Sequence, residues 1–130
     1  MTLLDTHAWI WFLADSSRLS REAEAAIARE TEDSSLLLSS ISVWELFMLV
    51  KKGRLELSVE PAAFLTITHR DSRFSIVPVD EVIARRSVEL PDIHDDPADR
   101  MILATAVELG TPVVSRDSRL AEYGVAGVIW

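Results

Sequence analysis

Short apolar runs alternate with longer stretches of helical period along this chain, and that alternation predicts its elements. Residues 2–4, Thr-Leu-Leu, form a brief apolar run that stops at Asp5, which predicts a first strand. Residues 6–14 follow with Trp9, Ile10, Phe12 and Leu13 crowding one side, the pattern of a helix. Ser20 is a suitable cap for a helix over 21–30, whose apolar stripe is Ala23, Ala26 and Ile27. A second strand is expected at 36–38, then a helix over 41–52 capped by Ser39 or Ser40 and stopped by Gly53. Pro61 opens a helix through about residue 68, and 74–79 reads as the third strand. Asp80 caps a helix over 81–90, Pro97 lies in the first turn of one running to Leu109, and Gly110 closes it. Residues 112–115 are the fourth strand, 117–123 a short helix ended by Gly124, and 125–130 a final strand.

Strands separated by helices require crossover connections, and uniformly apolar strands are those buried on both faces. The expected fold is therefore a three-layer α/β/α domain with a central parallel sheet of about five strands. Its 130 residues suit one domain, 1–130, able to bury a core of its own.

Composition adds exclusions. Hydrophobic residues make up 48% and charged residues 26%, the balance of a folded globular chain. With no cysteine, disulfides and thiolate metal sites are excluded, which suits a reducing cytoplasm. The start lacks a signal peptide's basic and apolar regions, and no apolar run, 46–50 included, is long enough to span a bilayer. A cytoplasmic location with no membrane contact is expected. The net charge of −8 opposes a nucleic-acid partner held by electrostatics alone. Two arrangements reconcile them: a carboxylate cluster neutralised by a cation, or local basic groups such as Lys51, Lys52 and Arg54, or Arg85 with Arg86.

In open parallel sheets, ligands bind beyond the carboxyl ends of the strands, so acids just after strands carry most interest. Asp5 closes the first strand, Asp117 lies just past the fourth, and Glu45 sits early in the helix after the second. Asp96 and Asp99 flank the start of the helix that precedes the fourth strand. Asp96, Asp99 and Asp117 also suit helix N-termini, where negative charge meets the positive end of the dipole. Asp5 and Glu45 are harder to explain by capping. Glu45 lies within a helix apolar nearly all round, where a charge is rarely buried without a partner. Two carboxylates about 4 Å apart repel by roughly 4 kcal/mol at an effective dielectric of about 20, so four in one cleft call for protonation or a cation. Oxygen ligands without cysteine point to Mg2+ or Mn2+. Such an ion keeps waters and accepts phosphate oxygens, which makes metal-assisted hydrolysis of a phosphodiester the natural chemistry.

These residues resemble a known family. Leu3-Leu4-Asp5-Thr6-His7, Ser42-Val43-Trp44-Glu45, the run 95–100 (Asp-Asp-Pro-Ala-Asp-Arg) and Ser115-Arg116-Asp117 are similar to the four motifs of PIN-domain ribonuclease toxins of the VapC type, in order. The likeness extends from the first strand to the last residue. It implies metal-binding and catalytic roles for Asp5, Glu45, Asp99 and Asp117, with Asp96, Thr6 and Ser115 supporting them from behind. Ser115 stands where threonine is common, Ala98 replaces a frequent phenylalanine, and Arg116 is less familiar beside such a site. The resemblance further implies a type II toxin–antitoxin system, cleavage of tRNA or ribosomal RNA, a small antitoxin partner and a homodimer. The apolar helix at 43–50 could face a second subunit, and the 9–12 run (Trp-Ile-Trp-Phe) could line a groove for a partner helix; ordinary core packing accounts for both equally well.

The remaining polar residues read more plainly. His7 packs or caps beside Asp5, His69 and His94 lie on the surface, and Arg100 pairs with a nearby acid. Lys51, Lys52 and Arg54 complement a helix C-terminus. Three alternatives compete: a receiver-like Mg2+-binding signalling domain, a dehalogenase-like phosphatase, and a catalytically silent PIN-fold binding module. A receiver needs paired acids after the first strand and a lysine after the last, whereas Asp5 stands alone and the last lysine is Lys52. The phosphatase needs a second acid two residues after the first, where His7 stands. A silent module would have lost some of the four acids, and all four are present.

Overall fold

A computed structural model describes residues 1–31 and 35–130. Strand β1 (Thr2–Leu4) leads into α1 (Thr6–Ala14), a tight helical turn at Ser16–Arg18 and α2 (Arg21–Ala28). Then come β2 (Leu36–Ser39), α3 (Ser40–Lys51), α4 (Pro61–Arg70), β3 (Phe74–Val77), α5 (Glu81–Glu89) and α6 (Pro97–Leu109). The chain ends with β4 (Val113–Val114), α7 (Ser118–Glu122) and β5 (Val128–Ile129). All five strands are parallel, in the order β3-β2-β1-β4-β5.

The expected α/β/α sheet is thus present, with shorter strands. Pro78 has no N–H to extend the ladder, so β3 ends at Val77. In the last strand, Gly124 turns at φ +65° and only Val128 and Ile129 pair with β4. Helix α2 stops at Ala28, and α5 at Glu89, where Leu90 precedes Pro91 and is biased to extended backbone. Ser39 caps α3, accepting from Ile41 N–H at 3.2 Å. The Ser40 hydroxyl instead accepts from Val79 N–H at 3.0 Å and ties the exit of β3 to the start of α3.

Side chains alternate across the sheet, as its pleat requires. Leu4, Leu36, Leu38 and Val114 face a core built with α1, α2 and α4, while Leu3, Leu37 and Val113 face Ile102 and Ala106 of α6. Helix α5 packs outside α6 through Ile83, Leu103 and Ala104. Trp9 is fully buried, edge-on to Phe64, and its Nε1–H donates to Thr68 Oγ1 at 2.9 Å. Thr68→Val keeps the volume but leaves the indole N–H unpaired. Urea denaturation is expected to register a loss of about 1–2 kcal/mol, and an unchanged midpoint would count against that bond.

Strand order reverses direction around β1: β2 and β3 were added on one side, β4 and β5 on the other. The crevice beyond the carboxyl ends of β1 and β4 is therefore the topological switch point. Asp5 and Ser115 emerge there side by side, with Asp5 N–H donating to Val114 O at 3.0 Å.

Candidate active site

Asp5 leaves β1 directly into α1 and serves as its cap, with Oδ1 accepting from Ala8 N–H at 2.7 Å. It is buried, and desolvation pushes its carboxyl above the usual range. Hydrogen bonds from the Ser115 hydroxyl and Ala8 N–H, and the charge of His7, oppose that rise; Asp117 adds to it. Ser115 Oγ also accepts from Asp117 N–H at 3.0 Å, so one hydroxyl links two acids. Glu45 points in from the second turn of α3 and is likewise buried. Burial raises its pKa, the Thr6 hydroxyl hydrogen-bonds it, and Asp96 and Asp5 repel its charge. Thr6 Oγ1 in turn lies 2.9 Å from Ser42 Oγ.

Helix α6 supplies the next pair. Asp96 caps it, accepting from Asp99 N–H at 2.9 Å, and this turn aims Asp99 inward. The Asp99 carboxyl is pushed up to about 7, first by burial, then by the charges of Asp96, Glu45, Asp5 and Asp117. Asp117 caps α7, and the Arg119 guanidinium 2.7 Å from its Oδ2 holds it below the usual carboxylate range. Asp5, Glu45, Asp96, Asp99 and Asp117 line one cleft of about 430 Å3, together with His7, Trp11, Arg116 and Arg119. Thr6 and Ser115 stand behind it, on Glu45 and Asp5 respectively.

Several polar residues depart from their sequence reading. His94, expected on the surface, has a side chain only 6% exposed. Its Nε2 lies 3.3 Å from Asp99 Oδ2, and its Nδ1 lies 2.7 Å from Tyr123 Oη. His94, Asp99 and Asp117 each offer a possible ligand atom, all within 4.8 Å of one another. No periodicity marks His94; the one available signal is its place five residues before Asp99, in the segment entering α6. Among the described residues, Arg100 pairs with no acid. It donates instead to the carbonyls of Ser87, Leu90, Pro91 and His94 and to Tyr123 Oη. His7 does not cap α1, since Asp5 does; it is exposed beside the cleft with its ring 5.7 Å from that of Trp11. Arg116 lies over Trp11 at 5.9 Å. Helix α3 leaves Trp44 54% and Phe47 40% exposed. No helix among the described residues is long and apolar enough to cross a membrane.

The donor chemistry suits a hard divalent ion: carboxylate oxygens in excess, the imidazoles of His7 and His94 nearby, no sulfur. An acid pushed up to about 7 beside four other carboxylates marks negative charge that Arg119, paired with Asp117, only partly offsets. Fold and cleft together define a parallel α/β domain with an acidic cleft, suited to a cation, at its switch point. The PIN domain pattern matches residues 2–126, and the chain belongs to the PIN-domain family. It is 35% identical over 122 residues to Ribonuclease VapC22 of Mycobacterium tuberculosis, covering 93% of this chain and 90% of that protein. The VapBC2 structure from Rickettsia felis, bound to a DNA fragment from its promoter, aligns with TM-score 0.73 at 14% identity, over 98% of this chain and 96% of the other. Mycobacterium tuberculosis VapC20, a sarcin-ricin loop cleaving toxin, aligns with TM-score 0.70 at 14% identity, over 97% of both chains. These two likenesses establish the shared fold.

Proposed function

We propose that this chain is a Mg2+- or Mn2+-dependent endoribonuclease, acting as a single domain and as the toxin of a type II toxin–antitoxin pair. Its substrate would be cellular RNA, tRNA or ribosomal RNA, met in the cytoplasm. The observation that carries this reading is the cleft itself: five acids at the switch point of the sheet, with Asp99 raised to about 7 by its neighbours. Similarity to a ribonuclease at 35% identity supports the substrate class.

Asp5, Glu45, Asp99 and Asp117 would hold the ion. When bound, it supplies Lewis acidity toward water and the scissile phosphate and offsets charge on the departing oxygen. The chain's own residues do the rest. Ser115 and Thr6 aim the Asp5 and Glu45 carboxyls by hydrogen bonds. Asp96 anchors the α6 N-terminus and so positions Asp99. Arg116, exposed at the rim, and Arg119, 55% exposed on Asp117, are placed to receive phosphate oxygens of an incoming strand. The net charge of −8 then reflects in part a cluster that a cation neutralises, and binding rests on these local arginines.

A groove between α1, α4 and the segment before α4, lined by Ile10, Trp11, Leu13, Leu55, Phe64 and Ile67, supports an antitoxin helix as partner. The exposed Trp44 and Phe47 support a homodimer through α3. The receiver reading gains nothing: it resembles a pattern with a phospho-acceptor aspartate after the third strand, and Asp80, which follows β3, instead caps α5 by accepting from Ile83 N–H at 2.9 Å.

Incubating purified chain with total RNA tests the proposal. Discrete new RNA ends are expected with Mg2+ or Mn2+ and none in excess EDTA. Equal cutting in EDTA, or none with either ion, would remove the nuclease assignment.

A further inference from the structure

Behind Asp99 stands a chain of polar groups that the catalytic reading leaves unused. Tyr123 Oη receives two N–H donors, from Arg100 Nη1 at 3.2 Å and from the His94 backbone at 3.2 Å. A phenolic oxygen has two acceptor positions and one proton. Both acceptor positions are taken, so the hydroxyl must donate. Its closest acceptor is His94 Nδ1 at 2.7 Å, nearer than His94 O at 3.3 Å. Were Nδ1 protonated, three N–H groups would converge on a single oxygen. Nδ1 is therefore the acceptor, and the proton of the neutral ring sits on Nε2. That atom is buried and makes no hydrogen bond among the described residues, yet Asp99 Oδ2 lies only 3.3 Å away. A small turn of the Asp99 carboxylate satisfies both. His94 is absent from the cleft wall, and the cleft acid its ring approaches most directly is Asp99, at 3.3 Å.

We infer that His94 is a positioning residue: Arg100 and Tyr123 hold its tautomer, and its Nε2–H fixes one Asp99 oxygen so that the other faces the cation. This rests on the metal-dependent reading above. A hydrogen bond to a ligating carboxylate sets the ligand's orientation, and loss of such support typically lowers metal affinity about 10–100-fold.

Side-chain amides separate the roles. In His94→Asn the amide oxygen falls near the former Nδ1 and can still accept from Tyr123 Oη–H, but nothing replaces Nε2–H. In His94→Gln the amide reaches the former Nε2 position and can still donate to Asp99. Mn2+ binding to the RNA-free protein, followed by the electron-paramagnetic signal of the free ion, is expected to weaken about tenfold in His94→Asn and within about threefold in His94→Gln. Tyr123→Phe, which releases the tautomer without touching Asp99, is expected to fall between them. With RNA, kcat is expected to drop in His94→Asn while KM holds. Imidazole 15N spectra of the metal-free parent at mildly alkaline pH are expected to show Nε2 protonated.

Parental Mn2+ affinity in His94→Asn, equal losses in Asn and Gln, or a proton on Nδ1 would each overturn the inference. A parent that binds no Mn2+ would overturn it along with the metal-dependent reading. A parent that binds Mn2+ with the expected variant order but cuts no RNA would sink the nuclease proposal alone.

Discussion

Asp99→Asn is expected to lower RNA cleavage by about 10²–10³-fold, the range for loss of one preorganised electrostatic group, while making the metal-free protein more stable above neutral pH. The two effects share a cause. Asp99 is partly desolvated and faces the charges of Asp96, Glu45, Asp5 and Asp117, which together raise its pKa to about 7. An unfolded chain would ionise the same group near 3.8. Between those values the folded state holds a proton that the unfolded state has lost, so stability falls as pH rises from about 4 to about 7 and levels off above. A shift of that size corresponds to roughly 2–4 kcal/mol. Asparagine has the carboxylate's shape and never ionises, so the variant lacks that decline. Asp99 N–H donates to Asp96 through the backbone, so the α6 cap survives the substitution. Added Mg2+ should stabilise the parent most at high pH and the variant little. Denaturation in EDTA across this window checks the sign: parallel stability curves for parent and Asp99→Asn would mean that Asp99 carries no such strain. Activity must be compared with both proteins purified in parallel, because a trace of host nuclease would hide the loss.

The acids were legible in the sequence because their local surroundings are anomalous. Asp5 ends an apolar strand, and Glu45 interrupts an apolar helix. Alternation of strands and helices then carries both to one edge without any knowledge of side-chain contacts. What stayed hidden has no local signature. His94 and Tyr123 are 29 residues apart and meet only because α6 and the segment after α7 converge outside the sheet. Arg100 follows Asp99 directly, which invites an ion pair, yet successive helical residues point about 100° apart. Asp99 turns to the cleft, and Arg100 to the C-terminus of α5. Strand ends were overestimated for a similar reason: Ala126 and Val79 pack against the cluster of α5 and α6 without pairing in the ladder. Hydrophobicity reports burial, and pairing additionally needs a free N–H in register.

Arg100→Met is expected to cost about 3 kcal/mol of stability and to lower the melting temperature by about 10 °C. Helix α5 ends at Leu90-Pro91, and proline supplies no N–H to close the last turn. Arg100 does so instead. Nε donates to Ser87 O at 3.1 Å, Nη2 to Leu90 O at 2.8 Å, and Nη1 to Pro91 O at 2.9 Å. The guanidinium thus stands where a glycine cap would, with its charge against the negative end of the helix dipole. Methionine preserves most of the aliphatic stem and removes every donor, so water must reach these carbonyls or they remain unpaired. Arg100→Lys is the sharper comparison. Lysine keeps the charge, but its three donors fan out from one atom and cannot span carbonyls at the helix end, the following loop and Tyr123 together. If charge near the dipole were the main contribution, lysine would restore most of the lost stability. If the planar fork is what counts, lysine and methionine will unfold at similar urea concentrations, well below the parent, because the Arg100 site is a question of geometry before it is one of charge.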